Sequence, residues 1–299
     1  MIIIMKNLLA TFLILFSTYG FADEVKLKDL NGFYSSGVTK SKSIAMILHG
    51  TRGHQNLEIV TSLRDSLLEN YIDSLTINLS YGIQNRDNDF LSCDIEHTHK
   101  QSESQKEIKL WYEYVKKMGY EKIYLIGHSR GGLDMINFYE RLDKNNKTFI
   151  SSIFLLAPIS DGWEDTSMDY KEKYNIDLRR LINEPTKKLS INFLGCENAT
   201  VYSDSFLDYY YIFVDAQGFQ AHEDIYDRAL NLHLVNTLSK VHVITASEDT
   251  IAPDTYERVN DITKFRKNIE LHMVDGADHF FRDIYFDDLM DILLEATTE

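Results

Sequence analysis

Positive charge is in short supply in this sequence. Its 299 residues hold 31 lysines and arginines against 46 aspartates and glutamates, a formal net charge of −15. A surface of that sign repels phosphate backbones and anionic headgroups, which excludes nucleic acid as a partner and leaves the charge to serve solubility. Proline occurs three times, and no tract rich in proline, or in glycine and serine, cuts the chain into pieces. Internal repeats are missing too, which excludes solenoids and propellers. The apolar run near the start falls short of the ~20 residues that cross a bilayer. With 44% hydrophobic residues, the chain has ample material for a sizeable core.

That first run reads "MIIIMKNLLATFLILFSTYGFADE", with Lys6 ahead of apolar residues Leu8 to Phe16 and the small Ala22 just before Asp23. The pattern predicts a secretory signal peptide over residues 1–22, with Met5 a possible true initiator. No cysteine stands at the cleavage point to carry a lipid anchor. The remaining chain, 23–299, is expected to be secreted or periplasmic, with no stable membrane insertion. Only two cysteines exist, Cys93 and Cys196, and both lie in the exported part. An even count in an oxidising compartment predicts a disulfide. Closing a loop of about 100 residues would stabilise by ~4–5 kcal/mol in the chain-entropy model.

Short β-branched runs recur: "SIAMIL" (43–48), "SLTINL" (74–79), "KIYLIG" (122–127), "ISSIFLLA" (150–157), "VHVITA" (241–246) and "IELHMV" (269–274). Apolar on both faces, most of them predict buried parallel strands. Helical periodicity separates them over 56–71, 104–119, 133–142 and 282–296. Strand alternating with helix predicts an α/β fold with a mostly parallel central sheet flanked by helices. The alternation breaks over about 160–235, a stretch dense in tyrosine and phenylalanine, which reads as a mainly helical cap inserted over the sheet.

The run "IYLIGHSRGG" (123–132) contains G-x-S-x-G between a predicted strand and a predicted helix. In that context the serine sits on a strained turn at the carboxyl edge of the sheet, and Ser129 is the expected nucleophile. A hydroxyl needs a base, and the base needs an orienting acid. Among ten histidines, His279 in "DGADHFF" falls just after the last predicted strand, at the same edge. Asp249 in "ITASEDTIAP" follows the strand before it and is the expected acid, with Glu248 and Asp161 as alternatives. "LHGTRGH" (48–54) follows the first parallel strand, so the amides of Thr51 and Arg130 are expected to form an oxyanion hole. His128 and His49 are placed on the substrate side, His49 also bracing its loop. The Arg130 side chain is expected to pair with an acidic neighbour rather than a substrate carboxylate. "CDIEHTH" brings Cys93, Asp94, His97 and His99 together, but C-x₃-H-x-H is not a common zinc spacing and a disulfide would remove the thiolate. No metal and no cofactor are therefore expected.

In motif content and order the chain resembles the α/β-hydrolase superfamily: the His-Gly-x-x-Gly loop at 49–53, the elbow at 127–131, then acid and histidine. The segment "LSYGIQNRDNDFLSCDIEHTHKQ" (79–101) is similar to a little-characterised group of exported α/β hydrolases. The resemblance implies a serine hydrolase acting on a small acyl substrate, an ester first, with amide cleavage or acyl transfer as variants. A catalytically silent relative that binds a ligand is the competing expectation. Oligomeric state is left open.

Overall fold

The structure, a computed structural model, describes residues 21–160, 163–212, 226–227 and 230–298. The predicted signal segment up to residue 20, the alternative acid Asp161, His222 and part of the insertion lie outside them. In chain order the elements are β1 (Phe21–Leu27), β2 (Leu30–Ser36), β3 (Ser43–Leu48), α1 (Glu58–Glu69), β4 (Asp73–Ile77), β5 (Glu96–His97) and α2 (Gln101–Lys117). There follow β6 (Lys122–His128), α3 (Arg130–Arg141), α4 (Lys144–Lys147), β7 (Ile150–Leu156), α5 (Trp163–Tyr174), α6 (Leu178–Leu181), β8 (Lys188–Phe193) and β9 (Cys196–Tyr202). The chain closes with α7 (Ser203–Asp208), β10 (Tyr211–Ile212), β11 (Tyr226–Asp227), α8 (Leu230–Asn236), β12 (Lys240–Ala246), α9 (Thr255–Thr263), β13 (Ile269–Val274) and α10 (Tyr285–Thr298).

Eight strands form one sheet in the order β1-β2-β4-β3-β6-β7-β12-β13. The β1/β2 and β2/β4 pairs are antiparallel, and every later pair is parallel. The six predicted strands are present, and the inner ones are buried because both sheet faces are covered, while β13 at the sheet edge stays partly exposed. Helices α1 and α10 cover one face, packing Leu63, Leu67, Leu289 and Leu293 on Ile47, Ile126 and Phe154. Helices α2, α3, α8 and α9 cover the other, packing Trp111, Ile136, Leu234 and Val259 against Met46, Leu125 and Val243. The amphipathic spacing of α2 sets its inward face, Ile108, Trp111, Tyr112 and Val115, and Glu103 accepts from the Lys100 amide to cap its start. The N-terminal hairpin β1/β2 adds two strands to the predicted six. Most of the β1 side chains described are exposed, so no apolar alternation announces that strand.

The insertion departs from the mainly helical expectation. Besides α5 to α8 it carries the antiparallel pair β8/β9, and β5 joins β9 in parallel to make a three-stranded sheet. The signal was present in "KLSINF": Leu189, Ile191 and Phe193 are buried, while Lys188, Ser190 and Asn192 face out. That is the period of two of a half-buried strand. The aromatic residues nearby pack into a cap core of its own, with Phe193 meeting Phe206 and Tyr209. The expected bridge between Cys93 and Cys196 is present, with Cα atoms 5.4 Å apart, and ties the loop before β5 to the start of β9.

Candidate active site

Strand order fixes where the site must be. β3 and β6 are paired neighbours, with Leu48 opposite Gly127, and the chain leaves them toward opposite sides of the sheet. Such a reversal opens a crevice at the carboxyl ends, where open α/β sheets bind ligands. β3 runs out there into His49, Gly50 and Thr51, and β6 into Ser129. A Cβ on Gly50 would stand 3.0 Å from the Ser129 Cβ, so the loop needs glycine to come this close.

Ser129 has φ 54° and ψ −124°, a left-handed conformation that a non-glycine residue adopts only where its surroundings compel it. Its N–H donates to the Leu156 carbonyl at 2.8 Å, and helix α3 starts at the next residue. The flanking glycines allow the turn: a Cβ on Gly127 would overlap the Gly131 carbonyl, and one on Gly131 the His49 carbonyl. Ser129 is thereby pushed out at the turn, facing a cavity of about 790 Å³ between the sheet edge and the cap.

His279 lines the same cavity, placed by the loop after β13. Its Nδ1 donates to Asp249 Oδ2 at 2.7 Å, and both side chains are buried. Asp249 Oδ1 accepts from the amides of Ile251 and Ala252 at 2.8 and 2.9 Å. Burial alone would raise this carboxyl, but the bonds from His279 and the two amides hold it below the usual carboxylate value. Glu248 is exposed, and the bond from His279 goes to Asp249 instead. Between Ser129 and His279 no hydrogen bond is made among the described residues. Such contacts are often long in unliganded sites and tighten around substrate.

The amides of Thr51 and Arg130 border the cavity, and neither is taken by a carbonyl or side chain among the described residues. The Arg130 guanidinium lies 5.3 Å from the centre of the Tyr209 ring, and among the described residues it has no acidic partner. The expected pairing with an acidic neighbour is therefore not made there. His128 lines the cavity but uses Nε2 to donate to the His279 carbonyl at 2.8 Å. His49 is not on the cavity wall. Its Nδ1 donates to the Gly50 carbonyl at 2.8 Å, and its Nε2 accepts the Leu79 amide at 3.3 Å. The placement of His49 on the substrate side is thus corrected to a loop brace. Burial, helped by the Arg86 charge, pushes its pKa down to about 3 and keeps the ring neutral.

Two residues that sequence reasoning missed hold this architecture. Arg86 is buried and donates to the carbonyls of Leu79, Asp89 and Gly53 at 2.6, 2.7 and 2.7 Å, pinning the far end of the His-Gly loop. Arg52 donates to Leu194 O at 2.9 Å and to Leu91 O at 2.8 Å, with Cys93 Sγ at 3.0 Å, so it clamps that loop to the cap beside the disulfide. Both sit in irregular loops, where no periodicity marks them. His97 and His99 form a buried chain that ends on Tyr209. His97 Nδ1 meets His99 Nε2 at 3.1 Å, and His99 Nδ1 meets the Tyr209 hydroxyl at 2.8 Å.

The fold is similar to solved structures across nearly the whole chain. Est1E from Butyrivibrio proteoclasticus matches with a TM-score of 0.62 at 14% identity, over 93% of this chain and 99% of that one. An esterase from Pyrococcus furiosus matches with a TM-score of 0.59 at 14% identity, over 94% and 90%. A putative hydrolase from Agrobacterium vitis matches with 0.57 at 15%, over 93% and 98%. No family model and no curated protein matches the chain. The likeness establishes the α/β-hydrolase fold.

Proposed function

We propose that the protein is a serine hydrolase that cleaves a carboxylic ester through an acyl-enzyme. The observation that carries this reading is the His279–Asp249 bond of 2.7 Å at the rim of the cavity that Ser129 faces. In the first half-reaction Ser129 Oγ attacks the carbonyl carbon while His279 Nε2 takes its proton. Asp249 fixes the tautomer and stabilises the imidazolium. The Thr51 and Arg130 amides receive the oxyanion. His279 then protonates the departing alcohol, and a water molecule, activated by the same ring, releases the acid and restores Ser129. Each proton is carried by residues of this chain, so the scheme needs no cofactor.

The likeness in fold to the Pyrococcus furiosus esterase supports ester over amide cleavage. Arg130 narrows the substrate: a fixed cation on the wall favours an acyl compound bearing an anionic group. The apolar start and the disulfide support export to an oxidising compartment. Among the described residues no helix is long and apolar enough to cross a membrane.

The test is labelling with a fluorophosphonate probe together with turnover of p-nitrophenyl esters. Ser129→Ala is expected to lose both while keeping its melting curve, and Asp249→Asn to lower kcat by roughly 10³–10⁴-fold. Undiminished turnover in Ser129→Ala would end the reading, and a wild type that neither labels nor turns over the esters would favour a silent, ligand-binding relative.

A further inference from the structure

Away from the cavity, the last two strands of the sheet bring His242, Glu270 and His272 together. β12 and β13 run parallel with His242 opposite Glu270 and Ile244 opposite His272, so the period of two puts all three side chains on one face. It is the face that α10 covers, where the His242 ring stacks on Phe154 at 4.9 Å. His242 Nδ1 stands 3.2 Å from Glu270 Oε2, and His272 Nε2 stands 3.8 Å from the same oxygen. The two ring nitrogens are 3.5 Å apart. Lys240 holds the other oxygen, Oε1, at 3.2 Å, which leaves Oε2 turned toward the rings.

Hydrogen bonding accounts for the shortest side of this triangle and for neither of the others, since 3.5 and 3.8 Å are too long for good N–H bonds. Donors held at ~2.0–2.1 Å around one zinc ion stand about 3.3–3.5 Å apart, which is the size of the triangle seen. We propose that His242 Nδ1, His272 Nε2 and Glu270 Oε2 form a site for a divalent transition-metal ion of the zinc type, with water completing its shell. Neutral imidazole and carboxylate are donors such an ion prefers. His242 is buried, while the Glu270 and His272 side chains keep 41% and 31% exposure, so an ion can enter from solvent. The Lys240 charge works against a cation here, and Glu295 of α10, which also acts on His272, opposes it.

None of the three residues lines the catalytic cavity, so the ion has a structural role. β12 leads into Asp249 and β13 into His279, and the ion ties together the two strands whose ends carry acid and base. Strand register, which spacing along the chain does not show, is what assembles these donors, where the sequence alone predicts no metal.

The experiment uses untagged, chelator-stripped protein titrated with Co²⁺ and followed by the visible bands of tetrahedral cobalt, with Zn²⁺ as competitor. Expected are one saturable equivalent, displacement by Zn²⁺, and a melting temperature that rises with Zn²⁺. Glu270→Gln and His272→Gln should each weaken binding about tenfold or more while keeping the wild-type circular dichroism. The buried His242 is left intact, since its loss would disturb the packing on Phe154. A wild type with no saturable band overturns the site, as does a band of unchanged affinity in both variants.

Discussion

His128 Nε2 donates to the main-chain carbonyl of His279 across 2.8 Å. A carbonyl only accepts, so Nε2 carries the hydrogen, and Nδ1 is a bare lone pair buried without a partner among the described residues. Burial first, and the neighbouring His279 second, push the ring down to about 4 and keep it in that neutral form. The residue beside the nucleophile therefore holds the backbone of the expected base. His128→Ala should lower kcat by roughly 10–100-fold with little change in KM, because a small misplacement of the base is costly while substrate contacts remain. His128→Gln, which keeps an N–H of similar reach, should recover most of the loss. If the alanine variant turns over at the wild-type rate, His128 is packing and nothing more.

Acid sensitivity follows from the same buried rings. Burial is the leading cause that lowers His49 and His99 to about 3 and His128 to about 4. Each ring is neutral in the fold, yet in the unfolded chain it takes a proton below about 6.5. The unfolded state thus binds more protons, and stability falls as pH drops from about 6.5 toward 4, by up to about 1.4 kcal/mol per pH unit for each ring. Asp249, whose carboxyl is held low, adds a loss of the same sign below about pH 4. Glu107 opposes them, since burial raises its carboxyl, but it is one group against three. Urea melts at stepped pH should show the fall. A midpoint that stays flat between pH 7 and 5 contradicts it.

The bridge between Cys93 and Cys196 closes a loop with a sequence separation of 103 and sits against Arg52, which fastens the His-Gly loop to the cap. Removing it with the pair Cys93→Ser and Cys196→Ser should lower stability by about 2–4 kcal/mol. The clamp makes a second effect expected: a rise in KM, as the cap wall of the cavity loosens. A double variant with unchanged melting temperature and KM would show that Arg52 and cap packing suffice alone.

The sheet core, the elbow turn and the placing of His279 beside Asp249 were legible in the sequence for physical reasons. Parallel strands buried on both faces, such as 43–48 and 122–127, carry continuous apolar runs. Ser129 needs glycines at 127 and 131 because neighbouring backbone occupies the space of a Cβ, so the turn writes itself into the chain. His279 and Asp249 each follow a strand that ends at the same rim, which is why position along the chain brings them together. What stayed hidden depends on tertiary placement. The alternation in "KLSINF" was legible but drowned among aromatic residues, while Arg86 and Arg52 act on carbonyls distant in sequence. His49 looked like a substrate contact because its motif borders the site, yet its ring turns back into the loop.

Arg130 gives the sharpest test of substrate. Its main-chain amide is the expected oxyanion donor, while its guanidinium lies over Tyr209 on the cavity wall, with no acidic partner among the described residues. Burial keeps the Tyr209 phenol protonated, so the ring adds no negative charge beneath the cation. A charge-assisted bond to a substrate anion is worth about 1.5–3 kcal/mol, or roughly 10–150-fold in kcat/KM. The p-nitrophenyl ester of a short dicarboxylic acid, with one carboxylate free, should therefore be preferred over a neutral ester of equal length. Arg130→Gln keeps the amide and removes the charge. It should cost the anionic ester most of that advantage while changing the neutral ester less than about threefold. Arg130→Lys should recover part of it, because a point charge lacks the paired donors of the guanidinium. Should Arg130→Gln slow both esters equally, the side chain supports the elbow and reads no anion.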